Sequence, residues 1–237
     1  MIHSVTGKNC AEAWVKATQY VLAHGDSLGS IHEVLNMGVT IESSEKCPVF
    51  HRLYEDAYGE DRTALKAYTF IRPEPNPLFP EILEYKQMKE GNWTATYWGR
   101  MFAWGGEFNQ IEQTVMRLRQ NKQAKTIVIG VYDPKKDGRK QQGGLPCLLT
   151  VDLKPRGGKL HLTATMRSQT IGRSGYGDSM AFVELCEYLA EASGCLEFGS
   201  VTVFIHSCHI RAQNKAKSEA LKDKYLAELR ESWRVEL

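Results

Sequence analysis

Residues 143–168 read GGLPCLLTVDLKPRGGKLHLTATMRS, and the organisation of the chain follows outward from this stretch. Leu148 to Leu153 and Lys159 to Met166 are rich in apolar and β-branched residues and predict two strands. Pro155-Arg156-Gly157-Gly158 between them predicts the turn of a hairpin. Cys147 stands just before the first strand, and Arg167-Ser168 just after the second. Asp178 follows eleven positions after Arg167. The Gly143-Gly144-Leu145-Pro146 approach fixes the backbone ahead of the thiol, which suits a nucleophile better than a packing residue. A thiol, a guanidinium and a carboxylate in these places are the parts needed for conjugate addition to a pyrimidine ring.

Composition bounds the alternatives. The chain has 237 residues, 42% hydrophobic and 24% charged, the range of one large globular domain that buries a core without staples. Lys+Arg number 30 against Asp+Glu 28, a formal net charge of +2. Such balance is a poor footprint for long nucleic acid but accommodates a small anionic substrate held by a local cluster of arginines. The six cysteines are Cys10, Cys47, Cys147, Cys186, Cys195 and Cys208. Their scattered spacing contains no CxxC pair or Cys/His ligand run, so no metal is expected. Neither a signal peptide nor a membrane-spanning apolar run is evident, and the expected location is a reducing cytoplasm with free thiols.

Elsewhere the periodicity predicts helices over Cys10 to His24, stopped by Gly25, and over Glu81 to Lys89, with Pro80 at its start. Asn109 to Arg119, Ser179 to Ala192 and Gln213 to Arg230 read as further helices. Strands are expected around Gly38 to Ile41, over Thr126 to Val131, and over Ser200 to Ile205. Asp133 to Gly144 reads as a charged, glycine-rich loop, exposed and mobile. Without repeats or linkers, the expectation is a single α/β domain over residues 1–237 with a mixed sheet.

Four segments in order resemble the thymidylate synthase family. Leu145-Pro146-Cys147 resembles its catalytic cysteine motif, and Met166-Arg167-Ser168 its phosphate-binding Arg-Ser after a strand. Tyr97-Trp98-Gly99-Arg100 resembles the tyrosine-bearing turn lining the active site. His206-Ser207-Cys208-His209-Ile210 resembles the loop whose histidine contacts the sugar. Lys159-Leu160-His161-Leu162 and Arg173-Ser174-Gly175-Tyr176 look closest to short archaeal-type members. The resemblance spans about Phe79 to Asn214. It implies a large mixed sheet with flanking helices, a homodimer packed sheet to sheet, a pyrimidine nucleoside monophosphate substrate, and 5,10-methylenetetrahydrofolate or a related tetrahydropterin as one-carbon donor, with no metal.

The resemblance gives residues roles. Cys147 adds to ring carbon 6, which turns carbon 5 into a nucleophile. Arg167 and Ser168 bind the phosphate. Glu81, or Glu84 one turn on, moves protons at the base. Tyr97 lines the site, and His209 touches the ribose. Lys125 stands where the family has the first of two arginines that reach the partner's site; the second position is Thr126. Arg211 and Thr170 replace a sugar-contacting tyrosine and a pterin-contacting aspartate, and the closing C-terminal segment is not recognisable.

Asp178 occupies the place of the asparagine that reads the uracil edge. Uracil presents N3–H and O4, whereas cytosine presents N3 and an amino group. An ionised carboxylate only accepts hydrogen bonds, and one sharing a proton with N3 matches cytosine at both atoms. The related phage deoxycytidylate hydroxymethylase pattern carries aspartate at this spacing. Asp178 could also cap the helix beginning at Ser179. The expected activity is C5-hydroxymethylation of CMP or dCMP, with water quenching the methylene. The alternatives are thymidylate synthesis from dUMP and a non-catalytic nucleotide-binding homologue.

Overall fold

The first long helix begins where Asn9 can serve it. The Asn9 side chain accepts from the Glu12 N–H at 3.1 Å, and the Gly25 N–H closes the far end on the Val21 carbonyl at 2.9 Å. The bounds of this helix, α1 (Cys10–His24), are those the sequence predicts. A computed structural model describes residues 2–58, 97–138 and 145–235. Before and after α1 come β1 (His3–Gly7), β2 (Asp26–Leu28), β3 (Ile31–Ile41) and α2 (Pro48–Tyr58). The middle of the chain forms α3 (Tyr97–Phe102), α4 (Gln110–Gln120), β4 (Ile127–Gly130), β5 (Leu148–Arg156), β6 (Lys159–Met166) and β7 (Gln169–Thr170). The last third forms α5 (Gly175–Ser193), β8 (Glu197–Arg211) and α6 (Ala212–Val235). The Glu81 helix and the Gly143-Gly144 approach lie outside the described residues.

The strands build one eight-stranded mixed sheet in the order β1-β3-β8-β6-β5-β4, with β2 beside β3 and β7 beside β8. Neighbouring pairs are parallel for β1/β3, β8/β6 and β8/β7, and antiparallel for the others. The fold class is α/β, with α1 and α5 packed on the central strands. The hairpin turns later than the sequence suggests. Pro155 and Arg156 remain in β5, and Gly157 and Gly158 make the turn at φ of 57° and 78°. Asp178 is not a cap, because α5 starts at Gly175 after Ser174 and places Asp178 inside its first turn.

Strand alternation breaks along a line across the middle of the sheet. On β3 the buried side chains are Val34, then Met37, Val39 and Ile41, a step of three where the pleat requires two. Asn36 sits in that step with φ of 55°, a left-handed conformation that asparagine tolerates better than most residues. On β8 the same step falls between Ile205 and Cys208, and along β6 and β7 between Met166 and Gln169. The register sets these steps side by side: Met37, Ile205 and Met166 align on one side, and Val34, Cys208 and Gln169 on the other. β5 carries its own bulge between Leu148 and Thr150. Arg167-Ser168 is thus a gap in a strand that resumes in the same register.

The loop between β7 and α5 is held by aromatic side chains. The Trp14 indole donates to the Ile171 carbonyl at 2.7 Å, and Tyr58 to the Gly172 carbonyl at 2.5 Å. Tyr54 donates to the Arg173 carbonyl. Trp14, Phe50, Tyr54 and Tyr176 pack with ring centroids 4.8 to 6.4 Å apart. Gly172 leaves room for this closure, since a β-carbon there would lie 2.4 Å from Ser218 Oγ. Among the described residues no helix is long and apolar enough to cross a membrane. Trp14→Phe keeps an aromatic ring but orphans the Ile171 carbonyl. It should cost about 1–3 kcal/mol in urea unfolding, visible as a lower midpoint at unchanged slope.

Candidate active site

The break after β6 brings Cys147 and Arg167 together. The Arg167 N–H donates to the Cys147 carbonyl at 2.8 Å, extending the hairpin ladder past Met166. The guanidinium then folds back on the residues preceding the cysteine. Its Nε donates to the Pro146 carbonyl at 2.9 Å and its Nη2 to the Leu145 carbonyl at 3.1 Å. Its Nη1 donates to Ser168 Oγ at 3.3 Å, and Ser168 Oγ lies 3.6 Å from the Cys147 sulfur. Ser168 Oγ can accept from Arg167 and still give its own proton to the sulfur once the thiol is ionised. Arg167 is exposed and spends three of its five N–H groups on this loop, which leaves two for an anion. Cys147 is half-buried, whereas Cys10, Cys186 and Cys208 are buried, their thiols pushed up to about 12 for the first two and higher for Cys208 by desolvation. Those three are packing residues.

Two residues past Arg167 the strand resumes and carries a second group into the site. Gln169 Nε2 donates to Asp178 Oδ2 at 3.0 Å, and both side chains are buried. Asp178 Oδ1 and Gln169 Oε1 have no hydrogen-bond partner among the described residues. The Ser174 hydroxyl nearby is directed to the Thr170 carbonyl at 3.5 Å. Burial raises the Asp178 carboxyl from 3.8 to about 7, against the lowering pull of Gln169 and Ser174. Two adjacent buried oxygens without partners form a cradle for a polar edge, because such atoms are costly to leave unmade.

The next residue links to the sugar-side candidate. Thr170 Oγ1 lies 3.0 Å from His209 Nε2, and the two are paired across β7 and β8. His209 Nδ1 lies 3.3 Å from the Ser207 carbonyl and 3.5 Å from Ser207 Oγ, which itself donates to Glu33. The carbonyl accepts only, so Nδ1 carries the proton and Nε2 accepts from Thr170. Burial lowers the His209 pKa and favours the neutral ring. One strand therefore lines up thiol and hydroxyl, then amide and carboxyl, then hydroxyl and imidazole.

A family model described as Thymidylate synthase matches residues 66–228, more than half of the chain. The chain belongs to the thymidylate synthase family. Relatives described as "Putative thymidylate synthase" match most of the chain. The Methanosarcina barkeri protein is 28% identical over 212 residues, covering 87% of this chain and 88% of its own. The Methanosarcina acetivorans protein is 29% identical over the same length and shares of the two chains. The Methanothermobacter marburgensis protein is 26% identical over 230 residues, covering 94% of this chain and all of its own.

The other family positions are distributed as follows. Tyr97 opens α3, half-buried, on an element that packs against β4 and α4. That helix is fastened by Arg100, whose guanidinium grips Asp137 at 2.5 and 2.9 Å and donates to the Val131 carbonyl at 2.7 Å. Asp137 is buried, so this part of the segment expected to be exposed is instead tied to the core. Lys125 is exposed ahead of β4, at the end of that strand remote from Cys147, and is not brought to the site of its own chain. Glu81 and Glu84 lie outside the described residues. Among the described residues no group of three or more His, Cys, Asp or Glu is placed to hold a metal ion. Gln169, Ser207 and Glu33 are site-side residues that the sequence did not single out. Only the adjacency of Gln169 to Arg167-Ser168 could have flagged it.

The raised Asp178 value has a consequence for stability. The folded protein holds this proton more tightly than the unfolded chain, so the stabilisation is complete below about pH 4 and is lost as pH rises to about 7. The span is at most roughly 4 kcal/mol. Asp178→Asn should flatten unfolding free energy between pH 4 and 7, measured by urea titration at several pH values.

Proposed function

We propose that this chain is a cytidylate C5-hydroxymethylase acting on CMP or dCMP. In this reading residues 1–237 form a single thymidylate synthase-like domain, cytoplasmic and working as a homodimer. The family acts on pyrimidine nucleoside monophosphates and uses methylenetetrahydrofolate as donor. The observation that carries the cytosine reading is the buried Asp178 carboxyl, one oxygen held by Gln169 and the other without a partner among the described residues. A carboxyl that titrates near neutrality can share its proton with cytosine N3, whereas in its ionised form it would set a negative charge against the uracil O4.

Each residue then has a task. The Cys147 sulfur bonds to carbon 6 of the ring, and the electron pair of the 5,6 double bond moves to carbon 5. Ser168 hydrogen-bonds the sulfur, and the two unspent Arg167 N–H groups take the phosphate, with Lys125 of the second subunit as a further cation. Asp178 holds the proton at N3. Tyr97 lines the base, His209 and Thr170 face the sugar, and Glu81 or Glu84 moves protons at the ring. Thr170 does not fit the family's pterin contact, since a hydroxyl bound to His209 stands in for a free carboxylate. The donor is methylenetetrahydrofolate or a related tetrahydropterin held by other residues. Support for the dimer is the sheet face away from α1 and α5, where Leu35 and Val128 are exposed and Thr163, Thr202 and Phe204 partly so.

The second reading is thymidylate synthesis from dUMP, which the names of the Methanosarcina relatives favour. Incubation with CMP, dCMP, UMP and dUMP plus methylenetetrahydrofolate, followed by mass spectrometry, separates the two. The expected product is the 5-hydroxymethyl cytosine nucleotide; turnover of dUMP alone would overturn the cytosine reading. Cys147→Ala should cut turnover and C5 tritium release by about a thousandfold or more. Light scattering should give twice the 26.8 kDa chain mass.

A further inference from the structure

The carboxyl cannot by itself account for the second unpartnered oxygen in the site. The Gln169 amide presents its N–H to Asp178 Oδ2 at 3.0 Å, and in the cytosine reading the proton shared with N3 belongs to the other oxygen, Oδ1. That single contact locks the amide orientation and turns the Gln169 carbonyl oxygen away from the carboxyl. Gln169 Oε1 is left buried and without a hydrogen-bond partner among the described residues, as is Asp178 Oδ1. The residue is 2% exposed, so bulk water does not serve it. It sits one position after Ser168, which touches the Cys147 sulfur, and in register beside buried Cys208.

We infer that Gln169 is a specificity-determining residue whose Oε1 accepts a hydrogen bond from the exocyclic amino group of the base while Asp178 Oδ1 faces ring N3. The inference rests on the cytosine reading and deepens it. A 4-amino group supplies the donor that Oε1 lacks. A 4-carbonyl would set two acceptors face to face in a buried site, which is strongly disfavoured. Asp178 therefore acts twice, once at N3 and once by holding the neighbouring amide so that it rejects a carbonyl. An asparagine at position 178 would release that lock, because it can accept from or donate to the same amide.

The test is a cycle between one side chain and one ligand group. Calorimetry would compare dCMP with the pyrimidin-2-one deoxynucleotide, which keeps N3 but has hydrogen in place of the amino group. Both are measured on Cys147→Ala, so that binding stays non-covalent, and on Cys147→Ala with Gln169→Met, an unbranched apolar replacement of similar length. With Gln169 present, loss of the amino group should weaken binding roughly ten- to a hundredfold. In the Gln169→Met protein the two ligands should bind within about threefold of each other. A merely structural role for Gln169 would weaken both ligands alike, and an equal amino-group penalty in both proteins overturns the inference. Circular dichroism checks folding, and Gln169→Asn, which withdraws both polar atoms by one methylene, replaces a variant that does not fold. Tighter binding of dUMP than dCMP with Gln169 intact would instead overturn the cytosine reading, whatever the cycle returned.

Discussion

A pleated strand must turn successive side chains to opposite faces, so one covered face demands strict alternation. In this protein three adjacent strands break that rule at the same height, at Asn36, at His206-Ser207 and at Arg167-Ser168. A break in one strand would expose apolar residues or bury polar ones beside unbroken neighbours. Three breaks in register keep Val34, Cys208 and Gln169 on the buried side together. The rest of the site depends on this alignment. The two residues in the outermost gap have no ladder partner on β8, which frees Arg167 to fold back over Pro146 and Ser168 to face the thiol.

The same break explains why a glutamine is buried where the strand resumes. Gln169 arrives on the core side of the sheet, where its amide must be satisfied, and the first turn of α5 brings Asp178 to meet it. Each group partly satisfies the other and leaves one oxygen over. The site is thus unfinished on the protein side, and a ligand edge completes it. Next to it, Thr170 and His209 satisfy each other, and the Ser207–Glu33 contact fixes the imidazole from behind. A specificity device and a positioned histidine are carried on two consecutive residues of one short strand.

Much of this was legible in the residues. Apolar runs around paired glycines gave the hairpin, and Asn9 and Gly25 lie at the ends of α1 because capping chemistry is local. Cys147 and Arg167 read as a pair, since a hairpin returns the chain to its starting end. What stayed hidden depends on long-range geometry. Asn36 carries no periodic signal that a strand will change faces there. The start of α5 at Gly175 carries no helical signal, because Gly175 and Gly177 are poor helix formers, and the burial of Asp178 within the helix goes unsignalled with it. Asp137 looked like one more surface charge in a charged loop until Arg100, 37 residues earlier, claimed it.

The aromatic clamp on the loop before α5 bears on how such a protein diversifies. Three successive carbonyls, at Ile171, Gly172 and Arg173, accept from Trp14, Tyr58 and Tyr54. The backbone that presents residues 169 and 178 cannot drift without breaking several buried contacts at once. Selection for a different nucleobase is thereby steered away from gradual loop remodelling and toward exchange of the two side chains themselves. A scaffold this firmly tethered makes a change of substrate a discrete, few-residue event.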